Sequence, residues 1–214
     1  MKKTIVIVGA GPGLGNHIAE EFGKHDFRVV LMARREEKLK AYVKELEEKG
    51  IEAYWQVVNC ADNTSIVAAF DAVKKQFGTI DVMEYNAAVK EGGLATVISP
   101  EELMRRHQVD VAGALCAVQQ VVPGMKEQKS GAILFTGGGL GLAPASFATS
   151  MSLDKAALRA LAILLHDELK EDGIFAGIVN VKGGVDMDEY YASDKIAQLF
   201  FKLYEEQDSV EITY

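Results

Sequence analysis

Short β-branched runs alternate with longer amphipathic stretches along this chain. "TIVIV" (4–8), "RVVLM" (28–32), "AYWQVV" (53–58), "DVMEY" (81–85), "AILFT" (132–136) and "FAGIVNV" (175–181) read as strands, and "VEITY" (210–214) as a seventh. Several are apolar at nearly every position, which implies burial on both faces, as in a parallel sheet. Between them, apolar residues recur at three- and four-residue spacing over 14–25, 36–49, 64–77, 100–126, 151–172 and 193–205. That spacing predicts helices with one buried face. "SPEE" (99–102) marks a helix start, with Ser99 as cap, Pro100 in the first turn and Glu102 completing a capping box. The alternation predicts an α/β fold: a doubly wound parallel sheet of about seven strands with helices on both faces. Ligands are then expected beyond the carboxyl ends of the strands.

Composition narrows this picture. A chain of 214 residues, 49% of them hydrophobic, suits one compact domain over residues 1–214. The opening "MKKTIVIVGAGPG" has the two lysines and apolar run of a secretion signal, but Gly9, Gly11 and Pro12 break the run early, so a buried first strand is the better reading. Twenty-three basic against 31 acidic side chains give a net charge of −8. No nucleic-acid or anionic-membrane partner is therefore expected, since either needs a concentrated basic patch. Cys60 and Cys116 lack metal-like spacing and are expected to be reduced thiols of a cytoplasmic protein; no metal is expected.

The first candidate chemistry lies in "VGAGPGLGNHIAEEF". The spacing G-x-G-x-x-G fails in both frames, because Leu14 and Asn16 stand where a third glycine is needed. G-x-x-x-G-x-G fits instead, at Gly9, Gly13 and Gly15, with Gly11, Pro12 and Leu14 completing the turn. Glycines between a strand and a helix let the backbone approach a pyrophosphate at the helix N-terminus; a tight turn without ligand is the plain alternative. At the end of the second strand stand Arg34 and Arg35, with no acid to take a ribose 2′-hydroxyl. Two guanidinium groups there suit a 2′-phosphate, so NADP(H) is the expected cofactor.

With these residues in place, the chain resembles the short-chain dehydrogenase/reductase family, whose fold is Rossmann-type. The turn at 9–15 is similar to the family fingerprint, with Val8 where threonine is usual. In "VVNCADNTSI" (57–66), Asn59 matches the adenine-contacting acid and Cys60 the residue whose backbone meets the base. "DVMEYNAA" (81–88) resembles D-x-L-V-N-N-A-G: Asn86 and Ala87 match, Tyr85 and Ala88 depart. "VNVKGGV" (179–185) resembles V-N-x-x-x-P-G-x, with Gly183 for proline and Gly184 and Val185 in the cofactor segment.

The resemblance implies four active-site side chains: serine, tyrosine, lysine and asparagine. Only the lysine is present, as Lys155 in "SMSLDKAALRA"; Met151 stands at the tyrosine position, Gly138 at the serine and Asp110 at the asparagine. A thioether offers no proton. Backbone N–H groups of "GGG" (137–139) are candidates for an anion nest. Asp110, if within ion-pair reach, would keep Lys155 charged and itself ionised, leaving Lys155 as a clamp on the cofactor ribose. Tyr85 and His107 are alternative proton donors, the one otherwise packed under the cofactor, the other an ordinary helix histidine. Asp154 is expected to be solvated, about a hundred degrees around the helix from Lys155.

Two functions stay open at this level. One is an NADP(H)-dependent oxidoreductase acting on a small carbonyl, alcohol or enone without a tyrosine. The other is an NADP(H)-binding sensor or interaction protein without turnover or small-molecule substrate. The resemblance also implies a homodimer or homotetramer built through helices 100–126 and 151–172.

Overall fold

In a computed structural model describing residues 2–214, seven parallel strands form one sheet in the order β3-β2-β1-β4-β5-β6-β7. The strands are β1 (Thr4–Val8), β2 (Arg28–Ala33), β3 (Ala53–Val57), β4 (Val82–Tyr85), β5 (Gly131–Thr136), β6 (Ile174–Asn180) and β7 (Glu211–Thr213). The helices are α1 (Leu14–Lys24), α2 (Glu36–Glu48), α3 (Asn63–Phe77), α4 (Pro100–His107), α5 (Gly113–Gln128), α6 (Thr149–Leu169) and α7 (Ser193–Glu206).

Successive strand residues alternate between two cores. Val6, Met32, Met83, Phe135 and Ile178 meet Ile66, Phe70, Ala117, Leu158 and Ala162 from α3, α5 and α6. Ile5, Ile7, Leu31, Leu134 and Val179 meet Ile18, Phe22, Leu39 and Phe200 from α1, α2 and α7. Both sheet faces are covered, which is why the strand sequences lack a polar side. Strand order reverses between β1 and β4, and beyond the carboxyl ends of strands at such a switch point this class of sheet has its ligand crevice.

One predicted element is subdivided. The stretch 100–126 is two helices joined by a π-helical segment, Gln108–Ala112. Tyr85 supplies the reason: its hydroxyl, from the end of β4, donates to the Val109 carbonyl at 2.5 Å. A side chain inserted into a helix ladder widens it locally. Asp110 lies inside this widened turn.

Candidate cofactor crevice and active site

The glycine turn is fixed by close packing between β1 and β4. Gly9 has φ +97°, and a Cβ there would lie 2.4 Å from the Ala87 nitrogen. A Cβ at Gly15 would lie 2.9 Å from the Gly9 oxygen. Asn86 and Ala87 both donate backbone N–H groups to the Val8 carbonyl, and Asn86 Nδ2 donates to the Gly9 carbonyl at 2.9 Å. Gly9, Gly15, Asn86 and Ala87 therefore come together as one unit.

Gly11 and Gly13 are different. No atom lies within 4 Å of a Gly11 Cβ, and only the Asp186 Oδ2 approaches that of Gly13, at 3.8 Å. The fold does not need glycine there, so a cradle stays open before α1. No side chain caps α1, and the start of a helix attracts anions. His17 Nδ1 sits 3.0 Å from the Gly13 carbonyl, and the Asn16 Oδ1 is buried without a partner. Pro12 is exposed beside this cradle, whereas the Leu14 side chain is buried in the core under α1.

Arg34 and Arg35 are exposed at the end of β2. The Arg34 charge favours the Cys60 thiolate, but burial outweighs it and pushes that thiol up. Arg34 is thus near enough for its charge to act on Cys60. Asn59 is exposed, and its Oδ1 accepts from the Ala61 N–H. Gly184 and Val185 lie in the segment joining β6 to α7. There Asp186, at φ +61°, accepts both the N–H and the hydroxyl of Ser193, and these bonds hold its carboxyl below the usual range.

Lys155 stands at the centre of the candidate active site. It is 9% exposed, and its Nζ donates to the Thr136 carbonyl at 2.6 Å. Burial lowers its pKa, while the charges of Asp110 and Glu84 oppose that shift. A Cβ at Gly138 would meet Lys155 Cγ at 3.5 Å, an ordinary contact, so this position faces the lysine and has room for a side chain. Met151 lies one turn earlier on α6.

Three expectations need correction. The anion nest does not form: Gly137 and Gly139 donate to Val179 and Val181 carbonyls, and Gly138 is extended at φ −170°. Asp110 and Lys155 are not paired; Asp110 Oδ1 accepts the Val89 N–H at 2.7 Å. Burial then raises the Asp110 carboxyl to about 6 instead of leaving it firmly ionised. Asp154 is not solvated: it is buried, with Oδ1 2.7 Å from His107 Nδ1, because α4 packs over that face of α6. Tyr85 is fully buried, and burial raises its phenol well above the usual value, so it packs and does not donate to a substrate.

Glu84 is the residue that the sequence reading missed. Fully buried on β4, it accepts the Thr136 hydroxyl at 2.7 Å, while its Oε2 has no partner. Burial lifts its carboxyl to about 8. The signal was available: a lone acid in "VMEY", inside an otherwise apolar strand. Among the described residues, no group of three His, Cys, Asp or Glu side chains gathers to hold a metal, and no helix is long and apolar enough to cross a membrane.

Such a sheet, with its glycine turn at the switch point, defines a doubly wound α/β protein of the Rossmann type. The family model described as short chain dehydrogenase matches residues 3–188, and the chain belongs to that family. It is 30% identical to the 3-oxoacyl-[acyl-carrier-protein] reductase FabG of Staphylococcus aureus (strain Mu50 / ATCC 700699) over 135 residues, 63% of this chain and 55% of the relative. It is 26% identical to a short chain dehydrogenase of Pseudocercospora fijiensis (strain CIRAD86) over 181 residues, 83% of this chain and 58% of the relative. The match thus spans little more than half the length of these curated relatives. Among solved structures, an actinorhodin polyketide ketoreductase variant with NADPH superposes with a TM-score of 0.92 at 23% identity, covering 99% of this chain and 95% of that one. A metagenomic short-chain oxidoreductase in complex with NADP superposes with a TM-score of 0.90 at 25% identity, covering 99% and 96%.

Proposed function

We propose that this chain binds NADP(H) and transfers hydride to or from a small carbonyl, alcohol or enone, without the family's serine and tyrosine. The observation that carries the reading is the open cradle at Gly11 and Gly13 before an uncapped α1, beside the packed Gly9–Gly15–Asn86–Ala87 unit. There the pyrophosphate would meet Gly11, Pro12, Gly13, Leu14 and Gly15. Arg34 and Arg35 would hold the 2′-phosphate, Asn59 and Cys60 the adenine, Asn86 and Ala87 the middle of the molecule, and Gly184 and Val185 the nicotinamide. Complexes of fold neighbours with NADPH and NADP support this assignment.

When bound, the nucleotide supplies or accepts the hydride. The chain has to hold the accompanying proton. Met151 and Gly138 offer none, whereas Asp110, with a carboxyl near 6 inside the field of Lys155, changes protonation close to neutral pH. Lys155 is assigned the ribose hydroxyls and the electrostatic support of that proton. The missing phenol also supports a second reading, an NADP(H)-binding protein that senses or partners without turnover.

Titration with NADPH and NADH tests the cofactor. NADPH is expected to bind at least tenfold more tightly, with the preference lost in Arg34→Ala combined with Arg35→Ala; equal affinities in the unaltered chain would overturn the assignment. NADPH oxidation across ketones, enones and 3-oxoacyl thioesters then separates the readings, since tight binding with no turnover favours the sensor.

A further inference from the structure

Half of the large hydrophobic side chains exposed among the described residues lie on three segments: Leu94 and Val97 after β4, Leu142 and Phe147 after β5, Met187 and Tyr190 after β6. All three segments follow strands of one parallel sheet, so they gather at its carboxyl edge, where the nucleotide is assigned. Contacts join them there. Gly93 donates its N–H to the Phe147 carbonyl at 2.8 Å, and Gly93 and Ala148 form a parallel bridge. In the third segment, Asp186 brings Oδ2 to 3.8 Å from the position of a Gly13 Cβ. An exposed apolar rim of this kind marks a ligand groove or an interface between chains.

A cation stands on the same edge. Lys90 is exposed, and the backbone that carries it is fixed on both sides by buried charged side chains. Asp110 accepts the Val89 N–H at 2.7 Å, and Arg106 donates to the Glu91 carbonyl at 2.9 Å. The acids nearby are committed elsewhere: Glu91 to Arg105 and Arg106, Asp110 to Val89, and Asp186 to Ser193. Among the described residues Lys90 has no ion-pair partner. Its charge nevertheless reaches two of the segments' neighbours, favouring the Asp186 carboxylate and opposing the charge on Lys155. An ammonium set near a buried ammonium raises the electrostatic energy of both, and an anion bound there lowers it. A reacting molecule has to lie beside the nicotinamide on this edge. An apolar body with one anionic group would satisfy both the rim and Lys90.

We propose that the substrate of this site is a carboxylic acid with an apolar body, its carboxylate held by Lys90 and its chain laid along the rim. This deepens, and rests on, the NADP(H) oxidoreductase reading above. Because the Lys90 charge reaches Lys155, the carboxylate and the reacting carbon belong to the same end of the molecule, as in an oxo or hydroxy acid. The carboxylate itself is unchanged by the hydride transfer. Lys182, at the end of β6, is a second exposed lysine on this edge, its stem beside Gly139. Lys90 is assigned the anion because it is the lysine whose charge Lys155 feels.

Unreactive acids test the proposal before any substrate is known. The full chain is saturated with NADP+, and octanoate, octanamide and butyrate are each titrated in by calorimetry. Octanoate is expected to bind about tenfold more tightly than octanamide, the size of a hydrogen bond to a charged group. It is expected to bind about tenfold more tightly than butyrate, whose missing methylenes leave the rim uncovered. In Lys90→Met the first preference is lost and the second kept; in Phe147→Ser combined with Met187→Ser the second is lost and the first kept. With NADP+ bound, absence of octanoate binding, or equal binding of octanoate and octanamide, would overturn the proposal alone. A preference lost in Lys182→Met and kept in Lys90→Met would also overturn it. So would a Lys90→Met variant that binds NADP+ more weakly and keeps the octanoate preference, since Lys90 would then serve the diphosphate. Failure of NADP+ to bind would overturn it together with the cofactor assignment.

Discussion

Glu84 shows how much one side chain can impose on this fold. Its carboxyl ionises near 4.5 when free in solution and near 8 in the folded chain, mainly through burial. Between those values the folded state keeps a proton that the unfolded state has lost, so stability must fall as pH rises from 4.5 to 8. By linkage the loss at pH 8 is roughly 4 kcal/mol. Asp110 adds a smaller loss of the same sign between 3.8 and about 6. Glu84→Gln keeps the shape and the Thr136 hydrogen bond without the charge. Urea denaturation at pH 5 and pH 8 should show that this variant has lost most of the wild-type decline; an unchanged decline would mean that Glu84 does not titrate in this range.

At the scale of elements, the segment after β4 is pinned where it borders the crevice. Arg106 of α4 donates to the Glu91 and Gly92 carbonyls at 2.9 Å and to the Ser150 hydroxyl at 3.1 Å, and it pairs with Glu102 at 2.7 Å. Gly93 and Ala148 form a short parallel bridge beside it. One guanidinium thus joins α4, the loop and the start of α6, which no single ammonium could do. Arg106→Ala removes the fork, frees the Glu91 and Gly92 carbonyls and leaves the buried Ser150 hydroxyl without this partner, a loss of roughly 2 kcal/mol. Chemical denaturation checks this, and Arg106→Lys should recover less than half. A loss below about 1 kcal/mol, the range of an exposed pair, would show the clamp to be incidental. Periodicity alone could not reveal this role, because Arg106 reads as one more charge on the polar face of a helix. The same holds for Asp154, which three- and four-residue spacing assigned to solvent until α4 covered it.

The whole molecule leaves a surface that the subunit does not cover. Leu153 and Leu164, three turns apart on α6, are exposed, as is Leu115 on α5. Ala157 and Ala160 lie between the two leucines, small enough for another helix to approach closely. We propose that a second copy of the chain covers this stripe, in a homodimer or homotetramer through α5 and α6. Leu153→Glu with Leu164→Glu should yield a monomer by light scattering while leaving the far-UV spectrum unchanged. Persistence of the oligomer in that variant would move the interface elsewhere.

Much of this architecture follows from the order of residues. The periods of two and of three to four set the strands and helices within a residue or two, because burial of both sheet faces writes itself into composition. The glycine spacing located the switch-point crevice for a similar reason: Gly9 and Gly15 are demanded by backbone contact. Tertiary structure decided everything that depends on which distant groups meet. It broke the predicted helix at Gln108–Ala112, because a hydroxyl from β4 reached its ladder. It also closed the nest at Gly137–Gly139 by pairing it with the continuation of β6. Finally, it brought Glu84, Asp110, Asp154 and Lys155 into one region of low polarity. A charge has its ordinary pKa in an isolated sequence, and only the fold determines how far water is removed from it.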